Sequence, residues 1–172
     1  EGLPSLSVAA IAQTPDGYLW IGTTEGLARF DGASFRVYDR WNTPAFRENE
    51  GRKLFVDSRG ALWVGFAKTG AAVLEEGDFL AVKPGDFPVF DFAEDGEGLL
   101  VGSDRGLFRL RRDGPRRFEP VPLPAPLAQA AIVTVRVDAA GALWLGVLDP
   151  GIYRLAGERL EGPVRLSEPR PD

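Results

Sequence analysis

One short phrase recurs four times along the chain and limits its fold more than any other feature. It reads Gly17-Tyr-Leu-Trp-Ile-Gly22, Gly60-Ala-Leu-Trp-Val-Gly65, Gly98-Leu-Leu-Val-Gly102 and Gly141-Ala-Leu-Trp-Leu-Gly146, with closing glycines 43, 37 and 44 residues apart. After a short loop each is followed by a second phrase: Gly26-Leu-Ala-Arg-Phe30, Gly70-Ala-Ala-Val-Leu74, Gly106-Leu-Phe-Arg-Leu110 and Gly151-Ile-Tyr-Arg-Leu155. An apolar run precedes each unit, at 8–13, 53–57, 89–93 and 132–138. Another segment closes it, at 35–38, 79–82, 118–121 and 159–165. The runs are short, rich in Val, Ile, Leu, Phe and Trp, and separated by turn chemistry rather than helical periods, which predicts strands.

Four strands per unit, repeated at about 40–45 residues, is the pattern of a β-propeller blade. The expected fold is therefore all-β: four four-stranded antiparallel blades at about 8–39, 52–83, 88–121 and 132–165, within a propeller segment covering 1–166. Residues 167–172, Ser-Glu-Pro-Arg-Pro-Asp, have the composition of a linker. In Thr14-Pro15-Asp16-Gly17, proline pre-sets a negative φ and glycine supplies the positive φ that closes a tight turn. Trp20, Trp63 and Trp144 share one register position, with Leu100 in the third unit. They are expected to wedge between adjacent blades, where Gly22, Gly65, Gly102 and Gly146 allow close backbone approach.

The available chemistry is narrow. The chain has no Cys and no His, so it offers neither a thiolate, a zinc–thiolate site, an imidazole base nor a Ser-His-Asp triad. A net charge of −5 argues against a general nucleic-acid surface. Seventeen arginines against three lysines, with carboxylates, hydroxyls and aromatics, suit binding better than catalysis. No acidic cluster has the spacing of a calcium loop, so neither metal nor cofactor is expected. The recurring acids Asp57, Glu94 and Asp138 are expected to bond their own turn amides. Apolar stretches are too short to span a bilayer, so no membrane contact is expected from this segment.

These phrases resemble the two-component regulator propeller repeat, D-x-x-G-x-L-W-I-G-T followed by G-L-x-R-F-D. Residues 14–31 (TPDGYLWIGTTEGLARFD) match it almost without gaps, 57–65 and 138–146 match the first half, and 102–110 match the second. The third unit departs in lacking the Trp, and the second lacks the Arg. The resemblance implies the extracytoplasmic, periplasmic sensor part of a membrane-anchored histidine kinase, hybrid regulator or diguanylate cyclase. It implies no enzyme activity and a small-molecule or oligosaccharide signal. Rings in this family carry about seven blades, within the usual propeller range. The four visible blades are therefore expected to be part of a larger ring of about seven, over the alternatives of four blades closing alone or two chains pairing as a homodimer. The competing functions are a protein-interaction or dimerisation scaffold and a propeller lyase of the virginiamycin B type.

Ligand contacts in such a fold are expected on the rim formed by the second-to-third-strand turns and the inter-blade connections. The first connection, Asp39-Arg-Trp-Asn-Thr-Pro-Ala-Phe-Arg-Glu-Asn-Glu-Gly51, is long and carries Trp41, Asn42, Arg47 and Asn49, with Arg52 just beyond. Arg47 and Arg52 suit bidentate capture of a carboxylate or sulfate, and Trp41 offers a stacking face. The competing reading is that Trp41 and Phe46 tuck the loop onto the blade. Lys68, Asp104, Arg105 and Asp149 complete the candidate set from the shorter turns. Arg109, Arg111, Arg112, Arg116 and Arg117 are expected to form a solvated outer edge.

Overall fold

The computed structural model describes residues 2–113, 115–148 and 151–164. They form sixteen strands and four separate sheets, each of four consecutive antiparallel strands. Blade 1 contains β1 (Val8–Gln13), β2 (Leu19–Thr23), β3 (Gly26–Phe30) and β4 (Phe35–Tyr38). Blade 2 contains β5 (Gly51–Val56), β6 (Leu62–Phe66), β7 (Ala71–Glu75) and β8 (Asp78–Val82). Blade 3 contains β9 (Asp91–Glu94), β10 (Gly98–Ser103), β11 (Gly106–Arg111) and the two-residue β12 (Glu119–Pro120). Blade 4 contains β13 (Ile132–Val137), β14 (Leu143–Val147), β15 (Gly151–Ala156) and β16 (Arg159–Val164). The fold is a β-propeller segment, and its blades are side by side in chain order through contacts of β5 with β1, β9 with β5 and β13 with β9. No helix long and apolar enough to cross a membrane occurs among the described residues.

Side-chain alternation turns this topology into three cores, because successive residues of a strand point to opposite faces. The trailing face of blade 1, with Trp20, Leu27 and Tyr38, packs on Leu54, Leu62, Val64, Ala72 and Phe79 of blade 2. The trailing face of blade 2, with Trp63, Ala71 and Val73, packs on Phe92, Leu99, Val101 and Phe108 of blade 3. Blade 3 then presents Leu100 and Leu107 to Val135, Leu145 and Tyr153 of blade 4. Each face is apolar because each is buried, so the stack is held by three similar layers rather than by one central core.

The tryptophan column is buried where a following blade exists. Trp20 is 1% exposed and meets Phe79 edge-on at 5.9 Å; Trp63 is 5% exposed and lies 6.5 Å from Phe92. Trp144 is 37% exposed. It is the same residue in the same register, but among the described residues no element packs on the trailing face of blade 4. The glycine column divides identically. A Cβ on Gly22 would lie 2.4 Å from the carbonyl oxygen of Gly51, one on Gly65 would lie 2.5 Å from Val89, and one on Gly102 2.5 Å from the carbonyl of Ile132. Those contacts are with the following blade or the chain leading into it. On Gly146 the nearest atoms to it would be those of Thr134 in its own sheet, at 2.3 Å.

Candidate functional site

The connection from β4 to β5 is a folded loop, pinned by its own side chains. Asp39 accepts hydrogen bonds from the amides of Trp41 (2.8 Å) and Asn42 (2.9 Å). The Asn42 carbonyl oxygen accepts from the Asp39 amide at 3.0 Å and from the Thr43 hydroxyl at 2.7 Å, while its Nδ2 donates to Val37. Asn49 accepts the Arg40 amide at 2.9 Å, closing the loop across nine residues. Phe46 is buried between Phe66 and Phe79, with ring centroids at 4.9 and 4.8 Å. Glu48 reaches the turn between β6 and β7, where Oε1 accepts from the amides of Lys68 (2.7 Å) and Thr69 (2.8 Å) and from the Thr69 hydroxyl.

The expected rim residues therefore fall into two groups. Asn42 and Asn49 shape the loop; Arg47 donates to the Gly85 carbonyl at 3.3 Å and ties the first connection to the second. Arg52 pairs with Glu50 at 3.0 Å and Arg105 with Asp86 at 3.3 Å, in exposed pairs of small energetic worth. Trp41 is displayed instead, 75% exposed, with the Arg40 guanidinium 4.0 Å from the ring centroid. Lys68 and Asp104 are exposed on the same rim. Asp149 lies outside the described residues. The rim can thus offer an aromatic face, a stacked guanidinium and scattered charges on a loop that is already ordered, which lowers the entropic cost of holding a ligand there.

A second constellation, on the inner strands, escaped the sequence reasoning. Lys53, Asp91 and Thr134 occupy equivalent register positions, each opposite an in-strand glycine: Gly65, Gly102 and Gly146. Asp91 is 2% exposed. Its Oδ2 accepts from the Thr134 hydroxyl (2.7 Å), the Val135 amide (3.1 Å) and Arg136 Nη1 (2.5 Å), and Lys53 Nζ stands 2.7 Å from Oδ1 off the hydrogen-bonding angle. Burial acts to raise the carboxyl pKa. The Lys53 ammonium, the Thr134 hydroxyl and the Val135 amide outweigh it and hold Asp91 below the ordinary carboxylate value, so it is an anion at neutral pH. A depression of about 490 Å³ opens here, lined by Lys53, Phe55, Phe92 and Arg136. The signal in the sequence was a lysine and an aspartate inside apolar inner-strand runs, at one position of two successive repeats.

At the opposite rim the acids do more than cap their turns. Asp57 Oδ1 accepts the amides of Arg59 and Ala61, and its Oδ2 accepts the Trp63 indole N–H at 2.9 Å. Asp138 repeats this with Ala140, Ala142 and Trp144, and Thr14 takes the indole of Trp20 at 3.0 Å. The spacing of six residues between acid and indole was the readable signal. Glu94 departs from the expectation of an own-turn cap. It accepts from the amide and hydroxyl of Ser58 in blade 2, while Asp95 caps the turn through Glu97 and Gly98, because this unit's turn is shifted by a residue. The arginine cluster is correspondingly less free than a solvated edge: Arg109 pairs with Asp95 and Glu97, Arg112 with Glu94, and Arg116 with Glu75 across the blade boundary.

Against this geometry the comparisons with known proteins are specific for the repeat. Residues 2–25 match the family model of the two component regulator propeller. Histidine kinase P4 of Formosa agariphila is 47% identical over 38 residues, which is 22% of this chain and 3% of the kinase. Among solved structures, the extracellular domain of the putative one component system BT4673 from B. thetaiotaomicron superposes with a TM-score of 0.73 at 24% identity. That match covers 90% of this chain and 22% of the other. Virginiamycin B lyase from Staphylococcus aureus superposes with a TM-score of 0.67 at 17% identity, covering 96% of this chain and 59% of the lyase. At these identities the structural likenesses establish the propeller fold. The regulator propeller repeat is the narrower finding, because it rests on the residues themselves.

Proposed function

We propose that this chain is a non-catalytic sensor segment of an extracytoplasmic, periplasmic signalling protein of the two-component type, and that its ligand is a carbohydrate or related small molecule. The observation that carries the reading is the regulator propeller repeat at 2–25. The similarity to a histidine kinase and to the extracellular domain of a one component system supports it. The rim supports it chemically: Trp41 is a flat apolar face held out by a loop whose other aromatic, Phe46, is buried. Stacking on an aromatic combined with planar hydrogen-bonding groups suits a sugar ring, which has one apolar face and a polar circumference. A lyase of the virginiamycin type is the weaker alternative, since the chain has no histidine to act as a base.

Thermal unfolding against a panel of neutral and acidic oligosaccharides tests this. A ligand at a hundred times its dissociation constant contributes about 2.7 kcal/mol, which for a chain of this size raises Tm by roughly 5–10 °C. The expected result is a saturable rise with one glycan class, lost in Trp41→Ala. A flat response across the panel would overturn the carbohydrate reading and favour an interaction scaffold.

A further inference from the structure

The third strand of the repeat carries an arginine in three of the four blades, and in two of them the chain supplies its counter-charge. Arg154 of blade 4 lies opposite Glu161 on the outer strand and pairs with it at 3.5 Å and with Asp138 at 3.3 Å. Arg109 of blade 3 lies opposite Glu119 and pairs with Asp95 and, at 2.8 Å, with Glu97. Blade 2 has Val73 and Leu80 at these two positions, so nothing there needs neutralising. Blade 1 breaks the rule. Arg29 lies opposite Arg36, and Thr14 stands where Asp138 stands in blade 4, taking the Trp20 indole but carrying no charge. Both acids of the pattern are gone, and one is replaced by a second cation. Among the described residues neither guanidinium forms an ion pair with a carboxylate. Like charges directly opposed across a ladder are destabilising, so the fold leaves this conflict open. Both residues share the face of Trp20, which packs on blade 2, so the two blades that enclose them are both in place.

We propose that Arg29 and Arg36 form an anion site that takes one carboxylate or sulfate group of a small ligand. Directly opposed side chains start about 5 Å apart at Cβ, so two guanidiniums can close on a single group of that size, each through a fork of N–H donors. Aromatic faces support both: the Arg29 guanidinium lies 4.1 Å from the Tyr18 ring centroid, and that of Arg36 5.0 Å from the Tyr38 centroid. Stacking of this kind occupies the flat face of a guanidinium and leaves its edge donors to a ligand. Arg29 is half-buried, where an anion is attracted more strongly than in open water. Beside Arg36 a depression of about 230 Å³ opens between β4, the β4–β5 connection and the β7–β8 turn, walled by Tyr38, Asn42, Thr43 and Phe79. It gives room for the body of a ligand whose charged end the arginines hold. Asp78 lines it too, without pairing with Arg36, and two guanidiniums outweigh its charge. The inference goes beyond the rim reading and does not use Trp41.

The test is a titration of the 172-residue chain with sodium sulfate and with sodium glucuronate at constant ionic strength, glucose serving as the neutral control. The arginine Nε–H resonances are followed by NMR. The expected result is a saturable shift of the Arg29 and Arg36 signals with at least one anion and none with glucose. Arg29→Gln should raise the dissociation constant at least tenfold. Arg36→Glu recreates the arginine–glutamate opposition of blade 4. It should abolish saturation and, with no anion present, raise Tm by roughly 1–4 °C, as an attractive pair replaces a repulsive one. Trp41→Ala should leave the anion titration unchanged, which keeps this outcome separate from that of the rim. Four results would each overturn the proposal: no saturation with either anion, equal affinity in the parent and Arg36→Glu, an Arg36→Glu chain no more stable than the parent, or loss of binding in Trp41→Ala.

Discussion

Trp20 and Trp144 hold one register position in homologous strands, yet their energetic weight differs because only one is covered. Trp20→Ala should cost about 3–5 kcal/mol, the range for emptying a packed aromatic site. Trp144→Ala, measured in dilute protein, should cost no more than about 2 kcal/mol, since over a third of the residue is already in water. Urea denaturation of both variants checks the difference, and equal losses would show that something covers Trp144. Gly102→Ala should cost about 1–3 kcal/mol by overpacking, since the new methyl meets the fixed carbonyl of Ile132. Gly146→Ala should cost less, because its obstacle is an exposed threonine methyl. Asp91 is an electrostatic counterpart. Its folded pKa is depressed, so its contribution is complete above the unfolded value of about 3.9 and is lost as pH falls through the folded pKa. Asp91→Asn should therefore destabilise by about 2 kcal/mol at neutral pH, with the difference starting to shrink below about pH 3.9 and vanishing only once pH is under the folded pKa. Asp138 is lowered too, chiefly by the Ala142 amide and the Trp144 indole N–H, so the variant retains part of the acid-labile slope. Denaturation midpoints between neutral pH and about pH 2.5 separate the two contributions.

Among the elements, the β4–β5 connection shows where local chemistry stops being readable. Its turn-forming Asp39 and Asn42 act within a few residues, as such side chains do. Glu48, by contrast, caps amides about twenty residues away and fixes the loop to blade 2. Glu48→Ala should speed hydrogen exchange at the Lys68 and Thr69 amides by about tenfold, the equivalent of one lost charged hydrogen bond, while leaving exchange in β6 unchanged. Uniform acceleration through the whole blade would mean that the loop supports the sheet rather than merely resting on it. Strand β12 is a second case. An outer strand is expected over 118–121, but the ladder spans only Glu119 and Pro120: the Phe118 amide donates instead to the Lys83 carbonyl at 2.6 Å, and beyond Val121, whose amide still reaches Leu107, Pro122 has no amide to donate. The inner strand of the same blade begins at Asp91 rather than at Val89, the residue that packs against Gly65.

For the 172-residue chain measured by itself, stability should follow the stacking: among the described residues blades 2 and 3 have two covered faces and blades 1 and 4 have one, so protection is expected to be lower in the latter. Hydrogen exchange in dilute protein should find β6 and β10 slowest and β1 and β16 fastest, and a uniform profile would contradict a sum of separate junctions. Strand number, blade order and the shared register of the tryptophan and glycine columns were legible in the chain because alternation and turn chemistry act over a few residues, and fourfold recurrence averages out local irregularity. The indole-to-acid ties were legible in principle, since a fixed spacing of six residues carries them. Burial of Asp91 among Lys53, Thr134 and Arg136 depends on three blades at once and the pairing of Glu94 with Ser58 on two, and no local pattern encodes such a meeting. Nor could it show that Trp144 stands open while Trp20 is sealed, because closely similar stretches, Leu19-Trp20-Ile21-Gly22 and Leu143-Trp144-Leu145-Gly146, do not encode what lies across the next gap. Sequence fixes which face of a strand is apolar through short-range geometry; the stacking of sheets alone decides whether that face meets a partner or water.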